Sequence, residues 1–269
     1  MRKIYFILII LLSSCVACQW KLAPEDDNPD KPLVEVHRYD RLEYRYLTTG
    51  DFSALQDMCT EYPVETRTLL EDVLKLGDAT DPQINNKFLS FYQATKLQSM
   101  IADVETQYAN MDDINRELNA AFTRLKRWFP DMKVPMVYSQ IAALDQSVIV
   151  GNQAIGISLD KYLGEDYPLY KEFYSDKQRK QMKREYIVAD CVSFYLMSLY
   201  QLNDFETRPQ LERDLHVGKI QWVTNQAINS RMFQSKYVDA VDRYMKKHPQ
   251  TSYEELLEMT DFSALENAN

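Results

Sequence analysis

The chain has 269 residues, of which 45% are hydrophobic and 26% charged, and a formal charge of −9. It is long enough to bury one large core, and its acidity sets it against a phosphate backbone, so no nucleic-acid partner is expected. The six glycines, at positions 50, 77, 151, 156, 164 and 218, leave no glycine-rich nucleotide loop, and His37, His216 and His248 leave no H-E-x-x-H, so neither a metal nor another cofactor is expected.

Arg2 and Lys3 precede nine unbroken apolar residues, Ile4 to Leu12. That run is too short to span a bilayer, which takes about 20 residues, and has the length of a signal-peptide core. Leu12-Ser13-Ser14-Cys15 then has the lipobox pattern: an aliphatic residue, two small residues, and a cysteine. Residues 1–14 are predicted to be a cleaved signal peptide and Cys15 the site of lipid attachment, with Cys18 the poorer alternative. Two or three acyl chains hold a protein firmly at a membrane surface, since each buried CH₂ contributes ~0.8 kcal/mol. Residues 15–33 read as the lipidated N-terminus and a tether: Lys21 to Pro32 holds three prolines, four acids and almost nothing apolar. Residues 34–269 are predicted to form a single helical domain.

Val34 to Tyr46 is β-rich and then charged, a short strand running into a helix. Asp51 is a helix cap, and its five-residue motif, Asp51 to Leu55, recurs at Asp261 to Leu265. Asn85 to Tyr108 and Asp112 to Trp128 carry apolar residues at helical spacing, the second closed by Pro130. Val148 to Val150, Gly151-Asn152 and Ala154 to Leu159 read as a β-hairpin. Ser175 and Gln178 form a capping box. Ile187 to Leu202 is apolar nearly all round, with Asp190 its only charge, and is predicted to be buried. Leu211 to Ile228, Tyr237 to Met245 and Thr251 to Met259 follow as amphipathic helices, the last with a T-x-x-E box at Thr251 and Glu254. The fold class is mainly α (α+β), with one small antiparallel sheet or hairpin.

Catalytic patterns are sparse. Gly156-Ile157-Ser158-Leu159-Asp160 misses the nucleophile elbow at its last glycine, so Ser158 reads as a strand residue. Cys59 and Cys191 both lie in apolar helical patterns and read as two separate buried thiols, with a disulfide formed in an oxidising periplasm as the alternative. Asp190 stands out. A carboxylate in an apolar helix needs a partner, and Lys219, Arg213 and Arg184 are available. It is either half of an ion pair locking two helices or a perturbed acid lining a pocket.

Several segments together resemble the gliding-motility lipoproteins of the GldB type. They are Val36-His37-Arg38-Tyr39-Asp40-Arg41, Glu61-Tyr62-Pro63, Leu74 to Asp78, Gly156 to Gly164 with Tyr167-Pro168 and Tyr170, Tyr186 to Asp190, and His216 to Lys219. Ala189 stands where that family usually has proline. The resemblance implies a membrane-anchored lipoprotein of Bacteroidota, tied to gliding and its associated secretion machinery, with no established biochemical activity. It makes Asp160, Tyr162, Gly164, Asp190, Gly218 and Lys219 the structural or binding site to examine, and it favours Lys219 as the partner of Asp190. The order of hairpin, buried helix and glycine-bearing helix also resembles a zinc-peptidase scaffold, but Ala189-Asp190-Cys191-Val192-Ser193 stands where the zinc motif would be. These features lead to the expectation of a non-catalytic cell-envelope lipoprotein facing the periplasm that binds a protein partner. The alternative is a hydrolase of peptide or cell-wall substrates built around Asp190.

Overall fold

A computed structural model describes residues 32–151 and 153–266. The lipobox, Cys15 and most of the tether lie outside the described residues. The chain opens with β1 (Val36–His37) and passes at once into α1 (Tyr39–Thr49), α2 (Phe52–Glu61) and α3 (Pro63–Thr68), the last continuing into a wide π-helical turn at Leu69–Val73. Asp51 caps α2 by accepting from the Ser53 N–H at 2.9 Å, as its motif predicts, and Asp261 does the same for Ser263.

The span from Asn85 to Tyr108 is not one helix. It is α4 (Ile84–Phe91) and α5 (Thr95–Gln107), broken at an extended Ala94. The break lets Tyr92 turn inward, where it is fully buried and donates to the Ile141 carbonyl at 2.8 Å. Gln98 donates back to the Tyr92 carbonyl, which the break leaves open, and to the Leu47 carbonyl in the last turn of α1. Next is α6 (Asp112–Trp128), with the bounds its periodicity gives; it buries Ile114, Leu118, Ala121, Phe122 and Leu125 and has Asp112 and Asp113 in its first turn.

The hairpin forms, as β3 (Val148–Gly151) against β4 (Ala154–Ser158), but it is one side of a larger sheet. Four strands lie in the order β1-β2-β4-β3, with β2 at Met136–Gln140. The β1–β2 and β2–β4 pairs are parallel, so the sheet is mixed where the sequence suggested a purely antiparallel one. Val137, Tyr138, Ile155 and Ile157 are all buried, consistent with strands covered on both faces. Gly156 is required by close approach: a Cβ there would lie 2.6 Å from the ring of Tyr138, its partner in register.

Past the sheet come two one-turn helices, α7 (Tyr170–Phe173) and α8 (Asp176–Arg179). The Ser175–Gln178 capping box is present, but the helix it opens has only four residues. The apolar helix is α9 (Ile187–Leu199), packed against α6, β3, β4 and α10 (Gln210–Ile228). The chain closes with α11 (Lys236–Lys247), α12 (Tyr253–Glu258) and α13 (Ser263–Glu266). The box of α12 is Ser252 with Glu255, one residue beyond the pair suggested by the sequence. Among the described residues the result is mainly α, 60% helical, with 13 helices around a small mixed sheet.

Tyrosine accounts for 18 residues, and the fold uses its hydroxyl as a tie. Tyr46, Tyr92, Tyr108, Tyr170, Tyr174 and Tyr195 each donate to a main-chain carbonyl distant in sequence. A large ring fills core volume while its polar end satisfies an acceptor that no regular ladder reaches.

Candidate functional site

β2 and β4 end side by side, and the segments that leave them lock together. The chain after β2 turns through Ala143 and Leu144, both in the left-handed region at φ 49° and 68°. Neither is glycine, so the turn is strained by ~1–2 kcal/mol per residue and something must hold it. Asp160, two residues past β4 and fully buried, accepts from the N–H groups of Ala142, at 2.9 Å, and Leu144. Its neighbour Lys161 donates to the Leu144 carbonyl at 3.2 Å and to the Tyr174 hydroxyl at 2.8 Å, and Tyr174 donates to the same carbonyl. Burial raises the Asp160 carboxyl above the ordinary range, opposed by the two N–H groups it accepts from.

Two more acids sit beneath this turn that the sequence pattern did not single out. Asp40, buried, forms a bidentate pair with Arg38 at 2.7 and 2.8 Å and accepts from Ser139 of β2. Glu43, fully buried, accepts from the Ile141 N–H at 2.8 Å, while its Oε1 has no partner. Burial pushes the Glu43 carboxyl well above the carboxylate range, and the nearby Asp40 and Asp160 push it further. The signal was present: Tyr39, Glu43, Tyr46 and Leu47 share the buried face of α1 at helical spacing.

Tyr162 links this region to α9. Its carbonyl accepts from Tyr108 at 2.6 Å, and its hydroxyl donates to Asp190 at 2.7 Å. Asp190 is half-buried and has no cationic partner: Arg184 pairs with Asp113, and Arg213 lies over Phe205. Burial raises the Asp190 carboxyl to about 6, with the Tyr162 hydrogen bond opposing the shift. Val188 and Ala189, just before it, line a surface cavity of about 660 Å³ with Arg116, Arg124 and Arg184.

The suggested Asp190–Lys219 pair is not formed. Lys219 is fully buried and donates to two main-chain carbonyls, Leu257 at 3.2 Å and Met259, at the end of α12, with its ammonium 5.0 Å from the Phe262 ring centre. Cations are favoured at a helix C-terminus, which is how a buried ammonium is satisfied without a carboxylate. Burial pulls its pKa down to about 8. Gly218 beside it lets α11 approach closely, since a Cβ there would lie 2.8 Å from Tyr237. Gly164, at φ +116°, takes a backbone conformation that side chains rarely adopt. The six site residues thus fall in two places, Asp160, Tyr162, Gly164 and Asp190 near the sheet and Gly218 and Lys219 against the last helices.

Ser158 is buried at the end of β4, where its hydroxyl accepts from Gln140 at 3.1 Å. His216 is buried elsewhere, in the wall of a cavity with Tyr200 and Glu258, with Nδ1 unpartnered. Burial, then the charge of Lys219, pulls its pKa down to about 4. Of the two thiols, Cys191 is buried, but Cys59 is exposed, and both are free. Among the described residues, no group of three or more His, Cys, Asp or Glu side chains is placed to hold a metal ion, and no helix is long and apolar enough to cross a membrane.

The sequence matches the family described as gliding motility protein GldB over residues 20–236. The chain belongs to the GldB family. The match takes in the Asp160 turn, Asp190 and Lys219, and stops before the segment that Lys219 holds. No curated protein and no solved structure matches the chain.

Proposed function

We propose that this GldB-family protein is a non-catalytic lipoprotein of the cell envelope, anchored through Cys15 with its folded part facing the periplasm. There it serves as a binding or scaffolding component and engages a protein partner. The observation that carries this reading is where the buried charges go. Asp160, Lys161 and Lys219 are all bonded to the chain's own main chain, so charged side chains that would otherwise serve chemistry instead hold the framework rigid. A second reading, hydrolysis through Asp190, draws on one specific feature: a half-buried carboxyl raised to about 6 beside a tyrosine hydroxyl.

The test is crosslinking in native membranes. A discrete adduct that Cys15→Ala abolishes, together with palmitate labelling, and that Asp190→Asn leaves intact supports the scaffold. If Asp190→Asn keeps the adduct and loses no thermal stability yet abolishes the cellular phenotype, the hydrolase reading replaces it. Labelling that survives Cys15→Ala but not Cys18→Ala moves the anchor to Cys18.

A further inference from the structure

A trench runs along the outer side of α10, between that helix, α11 and the start of α12. It consists of two adjoining cavities, of about 250 and 570 Å³, that share Trp222, Gln226 and Asp242. Both tryptophans among the described residues are here. Trp128, Trp222 and Tyr253 form one wall, with ring centres 4.5 and 5.6 Å apart and the tyrosine roughly perpendicular to both indoles. At the other end Arg231 and Asn225, whose amide is bonded to Phe233, line the trench beside three uncharged polar side chains. Among the described residues, the side chains of Gln226, Asn229 and Ser230 have no hydrogen-bond partner. The charges nearby are already matched: Asp242 accepts from Lys246 at 2.7 Å and from Trp222 at 3.2 Å, and Arg231 pairs with Asp239.

We propose that this trench binds saccharide, taking a short run of pyranose rings. A pyranose has a C–H face that packs on aromatic rings and an edge of hydroxyls, each both donor and acceptor. An amide side chain offers one of each, so Gln226 and Asn229 match hydroxyls better than they match an ion. With the charges paired internally, little net field remains to select a charged ligand. An extended peptide is the poorer fit, because the walls are helices whose main-chain groups are already used, leaving no strand edge to add to. Asp242 and Tyr253 lie beyond residue 236, so the trench is completed outside the span matched by the GldB family. The inference goes beyond the scaffold reading and uses no protein partner. In an envelope, the same chemistry comes from two sources, the N-acetylated strands of the cell wall and the neutral chains of outer polysaccharides.

The test uses the full-length lipoprotein in detergent, titrated with chitohexaose and with cellohexaose and followed by calorimetry and tryptophan emission. Binding is expected with a shift in emission, and preference for chitohexaose assigns the cell wall, for cellohexaose a neutral glycan. Gln226→Ala, on a helix surface, should weaken binding about fivefold with an unchanged melting temperature, as expected for one lost uncharged hydrogen bond. Trp128→Leu should weaken binding further and remove the emission shift, while Phe194→Ala, on α9, should leave binding unchanged. No binding of either sugar at about 10 mM, or wild-type binding by both trench variants, overturns the proposal. So does wild-type affinity in Gln226→Ala and Tyr253→Ala, should Trp128→Leu fail to fold.

Discussion

Asp160 and Lys219 do the same work with opposite sign. Each is fully buried, and each spends its charge on two main-chain groups, the carboxylate on two N–H groups and the ammonium on two carbonyls. They differ in what they hold. Asp160 pins a strained turn 16 to 18 residues away, between strands in the middle of the sheet. Lys219 reaches 38 and 40 residues forward to the end of a six-residue helix. The first clamp is part of the core, and the second attaches a peripheral segment. A buried charge therefore says that something is being held, and its partner's place in the fold says how much depends on it.

The largest expected effect breaks the first clamp. Asp160→Ala leaves two buried N–H groups without their acceptor and the buried Lys161 ammonium without a neighbouring negative charge, and should cost about 3–5 kcal/mol. The loss should appear as a fall in the urea midpoint of the whole cooperative transition, at an unchanged m-value. A loss below about 1 kcal/mol would mean that the turn holds itself.

Lys219→Met should cost less, about 1–3 kcal/mol, because the unpaired carbonyls are partly offset by removal of a buried ammonium. Its signature is local. Amide exchange should accelerate over Tyr253 to Glu266 and stay slow in β2 and β4. Equal acceleration in the sheet would erase the distinction between the two clamps.

His216, beside Lys219, sharpens the comparison through pH. Its folded pKa, about 4, lies below the ordinary 6.5, so the imidazole is buried neutral. Its contribution is present above pH 6.5 and is lost as pH falls toward 4, about 3 kcal/mol at most. His216→Phe should flatten the difference in stability between pH 7 and pH 4, measured by thermal melts of the two proteins. An unchanged acid limb would place the acid lability elsewhere.

The smallest effect concerns Asp190. Its pKa is raised, so the protonated form is the more compatible with burial, and that stability is lost as pH rises from the free value through about 6. Asp190→Asn should therefore gain about 1–2 kcal/mol over wild type at pH 7–8 and nothing below pH 4. Combined with Lys219→Met it should be additive within about 0.5 kcal/mol, since the two residues share no partner. Strong coupling in that cycle would restore the ion pair that the sequence suggested.

Elements whose signal is local were legible in the sequence. Asp112–Trp128 follows from apolar spacing and its acidic start, and β3–β4 from alternation around Gly151. Elements set by distant partners were not. The break at Ala94 exists because Tyr92 reaches Ile141, 49 residues on, and no local pattern announces that. Thr251-Ser252-Tyr253-Glu254-Glu255 offers two capping registers with equal chemistry, and packing selects the second. For the candidate site, the sequence showed Asp190 as a charge in a buried helix and offered Lys219 as its partner. It did not reveal that a hydroxyl and two carbonyls satisfy them, because main-chain groups carry no residue letter. Asp40 and Glu43 were readable as members of a buried helical face but were masked by the charged residues around them.

Lys219 also fixes an order of events during synthesis. The carbonyls that receive its ammonium belong to Leu257 and Met259, made 38 and 40 residues after it. Until they emerge, α10 carries a lysine that its own neighbourhood cannot neutralise. Closing around this helix before then would bury an unsatisfied ammonium, so the arrival of Leu257 and Met259 is what makes closure favourable.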